Sequence, residues 1–381
     1  MSWYYQGDYM KSEIKTPLIL GIVILAGVII LSLSLSVLNS QSQQTLGNTS
    51  GESKISTSEQ SKLGYKKAPE LVGISGYINT LPEELQNKIK HNVVLYDIWT
   101  YSCINCVRTL PFITAWDEKY SDQGLLIIGI HSPEFEFEKD IENVKSAVTK
   151  YGIKYPVVLD NEKETWKAFE NNYWPRKYIA DHEGYIRYDH IGEGGYDETE
   201  KIIQQLLKER ADSIGMDVAV TGELVQINEF EHSRIRTPEL YFGFNFASGR
   251  NQIGNSEGFI PNQNVTYTIP ESLTLHRFYL DGTWSNLEGS MKLVSDSGRI
   301  ILPYNGKQVN IVTQGEASLG ILLDGKPIPP ESAGEDVDTK GQVHTHYSGI
   351  YNIIKTNEPE QHTLEIVVNN LGFEIFTFTF G

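Results

Sequence analysis

The sequence contains only two cysteines, Cys103 and Cys106, separated by two residues. An apolar strand pattern, 92–97, precedes them, and a helical pattern follows them. A C-x-x-C pair at the junction of a strand and a helix is typical of a thiol–disulfide redox centre. The N–H groups and dipole of a helix N-terminus favour a thiolate at Cys103. Cys106 lies one helical turn later and can close a disulfide as the resolving thiol.

Two other uses of this cysteine pair stay open. A structural disulfide is one, although so small a loop removes little entropy from the unfolded chain. A zinc site is the other, but such sites normally need a second pair of ligands, and the sequence has no second Cys pair. We therefore favour redox chemistry and expect neither a metal nor a cofactor.

Asp97 lies in the apolar strand that leads to the cysteines. Burying a carboxylate costs several kcal/mol unless it is neutral or paired. This cost predicts a proton-transfer role for Asp97, with an ordinary hydrogen-bonded buried aspartate as the alternative. Thr100-x-x-Cys103 also matches part of the peroxiredoxin pattern, but Tyr96 stands where that pattern requires proline, so a peroxidase is a minor alternative.

The spacing of five residues resembles the thioredoxin superfamily: Asp97, Trp99, Cys103, Cys106 and Pro111. The resemblance implies that Asp97 relays protons beneath the disulfide. It also implies that Trp99 packs beside the disulfide and contributes to substrate docking, and that Pro111 kinks the active-site helix.

Tyr173-Trp174-Pro175 directly precedes the predicted strand 176–180 and resembles the cis-proline loop of the same superfamily. The resemblance implies a cis Trp174–Pro175 bond. It further implies that this loop faces the disulfide and offers backbone groups to a bound substrate chain.

The longer pattern around the cysteines, with 130–137 and 192–194, resembles the extracytoplasmic thioredoxin-like module of DipZ-type proteins, which is akin to TlpA. The match covers residues 68–210. It implies a thioredoxin-like α/β domain with a central mixed sheet, helices on both faces, and a TlpA-type insertion between Asp140 and Leu159. Near the end of this domain, Asp197 and Glu200 predict a capped helix start.

Length and net charge limit how the whole chain can be organised and what it can bind. The 381 residues can hold two or three domains, and the net charge of −17 disfavours nucleic acid and anionic lipid as partners.

Residues 17–38 carry no charge and are long enough to span a hydrocarbon core of roughly 30 Å. Lysines precede this run within 1–16 and none follows until Lys54, so we expect a cytoplasmic N-terminus and an exported remainder. A cleaved signal peptide is the alternative to a signal anchor. Residues 39–67 have the composition of a disordered tether.

Residues 222–381 read as short strands separated by turns, which predicts an all-β sandwich. The segment also resembles the C-terminal module of DipZ proteins, a jelly-roll likened to carbohydrate-binding modules. Three aromatic residues could stack on a cell-envelope glycan, or could form the core: Tyr241, Trp284 and Tyr304. His344 and His346 could bind a metal, although a polar loop is the better interpretation. We expect each domain to bury its own core, so that 68–210 folds alone.

Together these features predict a membrane-anchored, extracytoplasmic thiol–disulfide oxidoreductase that reduces disulfides of exported proteins. Full-length DipZ proteins carry a multi-span membrane domain that this sequence lacks, so we expect a separate membrane electron donor. The alternative is a cell-envelope glycan- or protein-binding protein in which the thioredoxin-like domain is only a scaffold. The retained cysteines and Trp174-Pro175 argue against that alternative.

Overall fold

The structure is a computed structural model that describes residues 64–216, 222–231 and 237–381. The predicted tail 1–16, the predicted anchor 17–38 and the tether up to residue 63 lie outside these described residues. Among the residues that are described, no helix is both long and apolar enough to cross a membrane.

The first domain alternates strands and helices, as the sequence predicts. Its elements are β1 (Gly76–Ile78), α1 (Pro82–Ile89), β2 (Val93–Trp99), α2 (Ile104–Tyr120), β3 (Leu125–His131), α3 (Ile141–Lys150), β4 (Val157–Leu159), α4 (Glu164–Ala168), β5 (Arg176–Ala180), β6 (Ile186–Ile191) and α5 (Tyr196–Ile214). The six strands form one sheet in the order β1-β4-β3-β2-β5-β6. Strand β3 runs parallel to β2 and β4, whereas the other pairings are antiparallel, which confirms the mixed sheet.

Strand β2 is buried on both faces, because its side chains alternate between two hydrophobic clusters. Leu95 and Trp99 pack in one cluster with residues of α2, α3 and α5. Tyr96 and Ile98 pack in the other with residues of α1 and α4. The helices therefore cover both faces of the sheet, which places the C-terminal end of β2, and the cysteines that follow it, at one edge of a rigid core.

The chain joins this domain slightly earlier than the sequence suggests. Lys67, which the sequence analysis places in the tether, forms a β-bridge with Tyr185. The carbonyl of Lys66 accepts a hydrogen bond from the Ile186 N–H at 2.9 Å. The helix and the strand expected between Asp140 and Leu159 are present as α3 and β4, with β4 between β3 and β1.

The helix α5 does not begin as predicted. It starts at Tyr196 after Gly195, whose φ of 61° is in the left-handed region that suits glycine, and no side chain caps it. Glu200 is buried instead and accepts hydrogen bonds from Trp116 Nε1 at 3.1 Å and the Tyr120 hydroxyl at 2.6 Å. Its Oε2 also accepts the Val225 N–H at 2.8 Å. The predicted capping residue thus joins α2, α5 and the 222–231 segment.

The second domain is all-β, as predicted. Its elements are β7 (Leu240–Tyr241), α6 (Phe244–Ala247), β8 (Asn264–Tyr267), β9 (Tyr279–Asn286), β10 (Met291–Leu293), β11 (Gly298–Gln314), β12 (Ala317–Leu323), β13 (Lys326–Pro327), β14 (Gln342–Thr345), β15 (Gly349–Val368) and β16 (Glu374–Phe380). The strands pair antiparallel in one hydrogen-bonded sheet. One side of β11 pairs with β15, and the other is shared by β9 and β16, so the sheet folds over a core of its own.

Each domain has a cluster of its own, and the two domains also share a core; that 68–210 folds alone stays a prediction. Phe376 of β16 lies with its ring centroid 5.0 Å from that of Phe135 and 4.8 Å from that of Phe137. Val312 and Ile350 of the second domain belong to the same cluster as Trp99 and α2. The reason is that Phe135 and Phe137, in the segment between β3 and α3, pack against Phe376 of the second domain.

This shared core predicts coupled stability. Phe376→Ala should lower the free energy of unfolding by about 3–5 kcal/mol, because it leaves a cavity between the domains. The loss should appear in probes of both domains during urea unfolding. Leu371→Ala is the control, since Leu371 is 66% exposed and should change stability by less than about 0.5 kcal/mol. Unfolding of the first domain that Phe376→Ala leaves unaltered would contradict the shared core.

Candidate active site

The two cysteines occupy different environments at the start of α2. Cys103 is the N-cap residue, and its Sγ accepts a hydrogen bond from the Cys106 N–H at 3.3 Å. Cys103 is half-buried, whereas Cys106 is 1% exposed. Both are free thiols. The geometry therefore makes Cys103 the thiol that a large substrate can reach, and Cys106 the thiol that can attack only from within.

Asp97 lies beneath this pair and is 1% exposed. Within the described part of the chain, its Oδ1 has no hydrogen-bond partner. Burial raises the pKa of Asp97 to about 7, with the positive charge of Lys177 opposing the rise. Burial also raises the pKa of Cys106 well above its ordinary value, helped by the neighbouring Cys103 and the negative charge of Asp97. Asp97 is suited to accept the proton of Cys106, because the pKa of this carboxyl lies near neutrality and the pKa of the thiol is raised.

Lys177 is a site residue that sequence reasoning missed. It stands directly opposite Asp97 in the β2–β5 register, and its side chain is fully buried. Its Nζ donates to the Gly192 carbonyl at 3.2 Å. Burial lowers the pKa of Lys177 to about 8, while the charges of Asp97, Cys106 and Glu193 oppose the fall. Lys177 follows Arg176 at the start of the predicted strand, so nothing in the sequence marked it as buried.

The Trp174–Pro175 bond is cis, which confirms the prediction. Pro175 is buried, and Trp174 is half-buried with its Nε1 donating to the Ser132 carbonyl at 2.9 Å. The Trp166 ring centroid lies 4.3 Å from that of Trp174, and Lys163 Nζ lies 4.3 Å above the Trp174 ring. The loop is therefore held rigidly on its inner side.

Trp99 packs as predicted, whereas its predicted part in substrate docking has no support in the structure. It is fully buried, and its ring meets His131 edge-on with centroids 5.4 Å apart. A side chain without exposed surface cannot contact a bound chain in this structure. Its contribution is therefore packing beneath the cysteine loop.

Glu138 was also missed, although it holds the loop that precedes Cys103. Its Oε1 accepts the hydroxyl of Thr100 at 2.6 Å and that of Ser102 at 2.5 Å. Its Oε2 accepts the N–H groups of Glu134 at 2.6 Å and Phe135 at 2.9 Å. Burial raises the pKa of Glu138, and these hydrogen bonds oppose the rise. In the sequence it is one acidic residue among several alternating with phenylalanines, so nothing marked it as buried.

The other candidate sites from the sequence do not assemble. Tyr241, Trp284 and Tyr304 are all buried, so none presents a ring face on which a sugar could stack. His344 is exposed and lies 3.4 Å from Asp338 Oδ2. Among the residues that the structure describes, no group of three or more His, Cys, Asp or Glu side chains is placed to hold a metal.

Comparison with known proteins identifies the family. The Redoxin family model matches residues 66–207. The thiol-disulfide oxidoreductase YkuV of Bacillus subtilis (strain 168) is 30% identical over 143 residues, which cover 37% of this chain and 94% of YkuV. The chain belongs to the thioredoxin-like thiol–disulfide oxidoreductases.

A second match extends this family assignment beyond the first domain. The model described as "Thioredoxin like C-terminal domain" matches residues 237–381. Protein DipZ of Mycobacterium tuberculosis (strain CDC 1551 / Oshkosh) is 33% identical over 322 residues, covering 82% of this chain. The chain spans 43% of the length of that relative. Among solved structures, a thiol-disulfide isomerase from Corynebacterium glutamicum is 21% identical, covers 36% of this chain and 95% of its own, and has a TM-score of 0.34.

The buried Asp97–Lys177 pair predicts how this oxidoreductase depends on pH. If ionised Asp97 takes the Cys106 proton, the rate at which Cys106 resolves a mixed disulfide on Cys103 should rise as the pH passes about 7. Lys177→Met removes a charge that lowers the pKa of Asp97, so the midpoint should move to higher pH. Asp97→Asn should slow resolution about 100-fold and flatten the profile.

The measurement is an acid-quenched time course of a glutathione mixed disulfide on Cys103, followed from pH 5 to pH 9. Lys145→Met is the matched control, because Lys145 is an exposed lysine of α3 and should leave the midpoint unchanged. A midpoint that stays in place in Lys177→Met would show that Asp97 does not sense this lysine.

Proposed function

We propose that the protein reduces disulfide bonds in exported proteins by dithiol exchange. The observation that carries this proposal is the asymmetry of the cysteine pair. Cys103 caps α2 at the accessible end, and Cys106 lies buried behind it, where the charge of Asp97 helps to raise its pKa. The similarity to YkuV and DipZ supports the same chemistry.

The reaction takes two exchanges. The Cys103 thiolate attacks one sulfur of the substrate disulfide, which forms a Cys103–substrate bond and releases the other substrate sulfur as a thiolate. Asp97 then takes the Cys106 proton, and the Cys106 sulfur attacks Cys103. This step breaks the mixed disulfide, leaves the substrate as a dithiol and leaves Cys103–Cys106 oxidised. Two electrons pass from the protein to the substrate, so a donor must reduce the pair again.

The chemistry of the cis-proline loop supports docking of a polypeptide. Tyr173 is half exposed beside Trp174 and the buried Pro175, and the pairing of Arg176 with Ile98 places this loop at the same end of the sheet as the cysteine loop. The inner side of the loop is fixed by the Trp174–Ser132 hydrogen bond. A rigid, partly apolar edge of this kind suits an extended substrate chain.

The proposal includes a location at the membrane with both described domains outside the cytoplasm. Its support is the uncharged run 17–38, with lysines before it and none directly after it. The re-reducing partner would then be a membrane electron donor.

Protease added to intact cells should release a fragment that begins within 39–67. Cleavage only after lysis would place these domains on the other side of the membrane.

The structure gives less support to the two alternatives. A peroxidase of the peroxiredoxin kind would turn the Thr100 hydroxyl toward Cys103, but this hydroxyl is donated to Glu138. A glycan-binding protein would display the aromatic residues of the second domain, and the three candidates are buried. Thiol–disulfide exchange is therefore the function that the geometry favours.

The assignment of roles predicts opposite behaviour for the two cysteines. In the reduced protein, Cys103 should be alkylated at least about tenfold faster than Cys106 near pH 7, because Cys106 is buried. Cys106→Ser should accumulate mixed disulfides with substrate proteins, since no thiol remains to resolve them. Cys103→Ser is the control and should trap none. Equal alkylation rates, or trapping by Cys103→Ser, would reverse the roles.

A further inference from the structure

Residues 132–138, called here the bridging segment, link three parts of the molecule. On the side of the cysteines, Glu138 accepts the hydroxyls of Thr100 and Ser102 from the loop that ends at Cys103. On the side of the cis-proline loop, the Ser132 carbonyl accepts Trp174 Nε1 at 2.9 Å. The bridging segment therefore holds both walls of the redox site.

The second domain holds the bridging segment from the opposite direction. The Tyr241 hydroxyl donates to Glu134 Oε1 at 3.0 Å, the hydrogen bond that crosses between the domains at this point. Phe376 packs on Phe135 and Phe137 at either side of Glu136. The position of the bridging segment thus depends on groups 100 residues and more away in sequence.

Tyr241 is itself firmly fixed. Its ring stacks on Phe246 with centroids 5.3 Å apart and an interplanar angle of 16°. Its backbone N–H donates to Gln252 Oε1 at 2.9 Å. The hydroxyl also lies beside Glu239. A rigid donor at this place offsets the burial of Glu134 next to two further carboxylates, Glu239 and Glu138.

We propose that Tyr241 is a positioning residue for the redox reaction: its hydroxyl fixes Glu134, and through the bridging segment it sets the loop before Cys103 and the Trp174–Pro175 loop. The second domain is then a working part of the redox site. This inference rests on the proposed thiol–disulfide chemistry and deepens it.

Tyr241→Phe tests the proposal, because it removes the hydroxyl and keeps the stacked ring. Tyr304→Phe is the matched control: Tyr304 is a buried tyrosine of the same domain, in its separate core, and its hydroxyl has no partner within the described residues. The readout is the equilibrium constant between the Cys103–Cys106 dithiol and oxidised glutathione, with the melting temperature measured alongside. A merely structural loss would lower the melting temperature without moving this constant.

We expect Tyr241→Phe to shift the constant about fivefold or more, the lower end of couplings between distant sites. Tyr304→Phe should shift it less than twofold. A double-mutant cycle combines Tyr241→Phe with Glu138→Gln, which keeps an acceptor for the hydroxyls of Thr100 and Ser102 but removes the charge. If the bridging segment transmits the effect, the Tyr241→Phe and Glu138→Gln shifts should not add.

Three outcomes overturn the inference, and they are distinguishable. If the wild-type pair equilibrates with glutathione and Tyr241→Phe has the same constant, only the positioning role fails. If the wild-type pair forms no reversible disulfide, the proposed function fails and the inference fails with it. Additive shifts of the double variant would show that Tyr241 acts by a route other than the bridging segment.

Discussion

The site depends on one buried carboxylate. Glu138 has no solvent contact, so its charge must be met by donors within the protein. Those donors are the hydroxyls of Thr100 and Ser102 and the backbone N–H groups of Glu134 and Phe135. Each carboxylate oxygen accepts two of these donors, and losing one hydrogen bond to a charged group costs roughly 1.5–3 kcal/mol. The loop that presents Cys103 and the bridging segment 132–138 are thereby fixed to each other.

The ionisable groups of the site differ in how deeply they are buried. Cys103 lies at the accessible end of α2, while Cys106, Asp97 and Lys177 lie in the interior behind it. Burial raises the pKa of Asp97 to about 7 and lowers that of Lys177 to about 8, so both groups change protonation near neutral pH. Cys103 can then attack a substrate disulfide that arrives from solvent. Only the buried Cys106 thiol can make the second attack, on the mixed disulfide at Cys103.

Sequence reasoning identified what local chemistry encodes. The cysteine spacing, the strand that contains Asp97 and the helix behind it follow from short patterns, and the Trp174–Pro175 loop follows from a family resemblance. Lys177 and Glu138 escaped because their importance arises from pairing between strands and from burial, which no local pattern reports. Lys177 meets Asp97 only through the β2–β5 register.

The shared core escaped for a similar reason. Phe135 and Phe137 look like half of an amphipathic segment, and their partner Phe376 lies more than 200 residues later in the chain. The same limit explains the error at Glu200. Its sequence position fits a helix cap, but tertiary packing turns it toward Trp116 and Tyr120. In the second domain, the alternation of apolar and polar residues predicted strands. It did not indicate which aromatic side chains would be buried. The hydroxyl of Tyr241 lies against Glu134.

The most direct test of the account is the reduction potential of the Cys103–Cys106 pair, measured against glutathione or dithiothreitol buffers. A protein that reduces disulfides should hold its dithiol near the thioredoxin value of about −270 mV. A potential near about −120 mV would make it an oxidant and contradict the proposed direction. Failure to form a reversible disulfide at any potential would contradict the redox assignment itself.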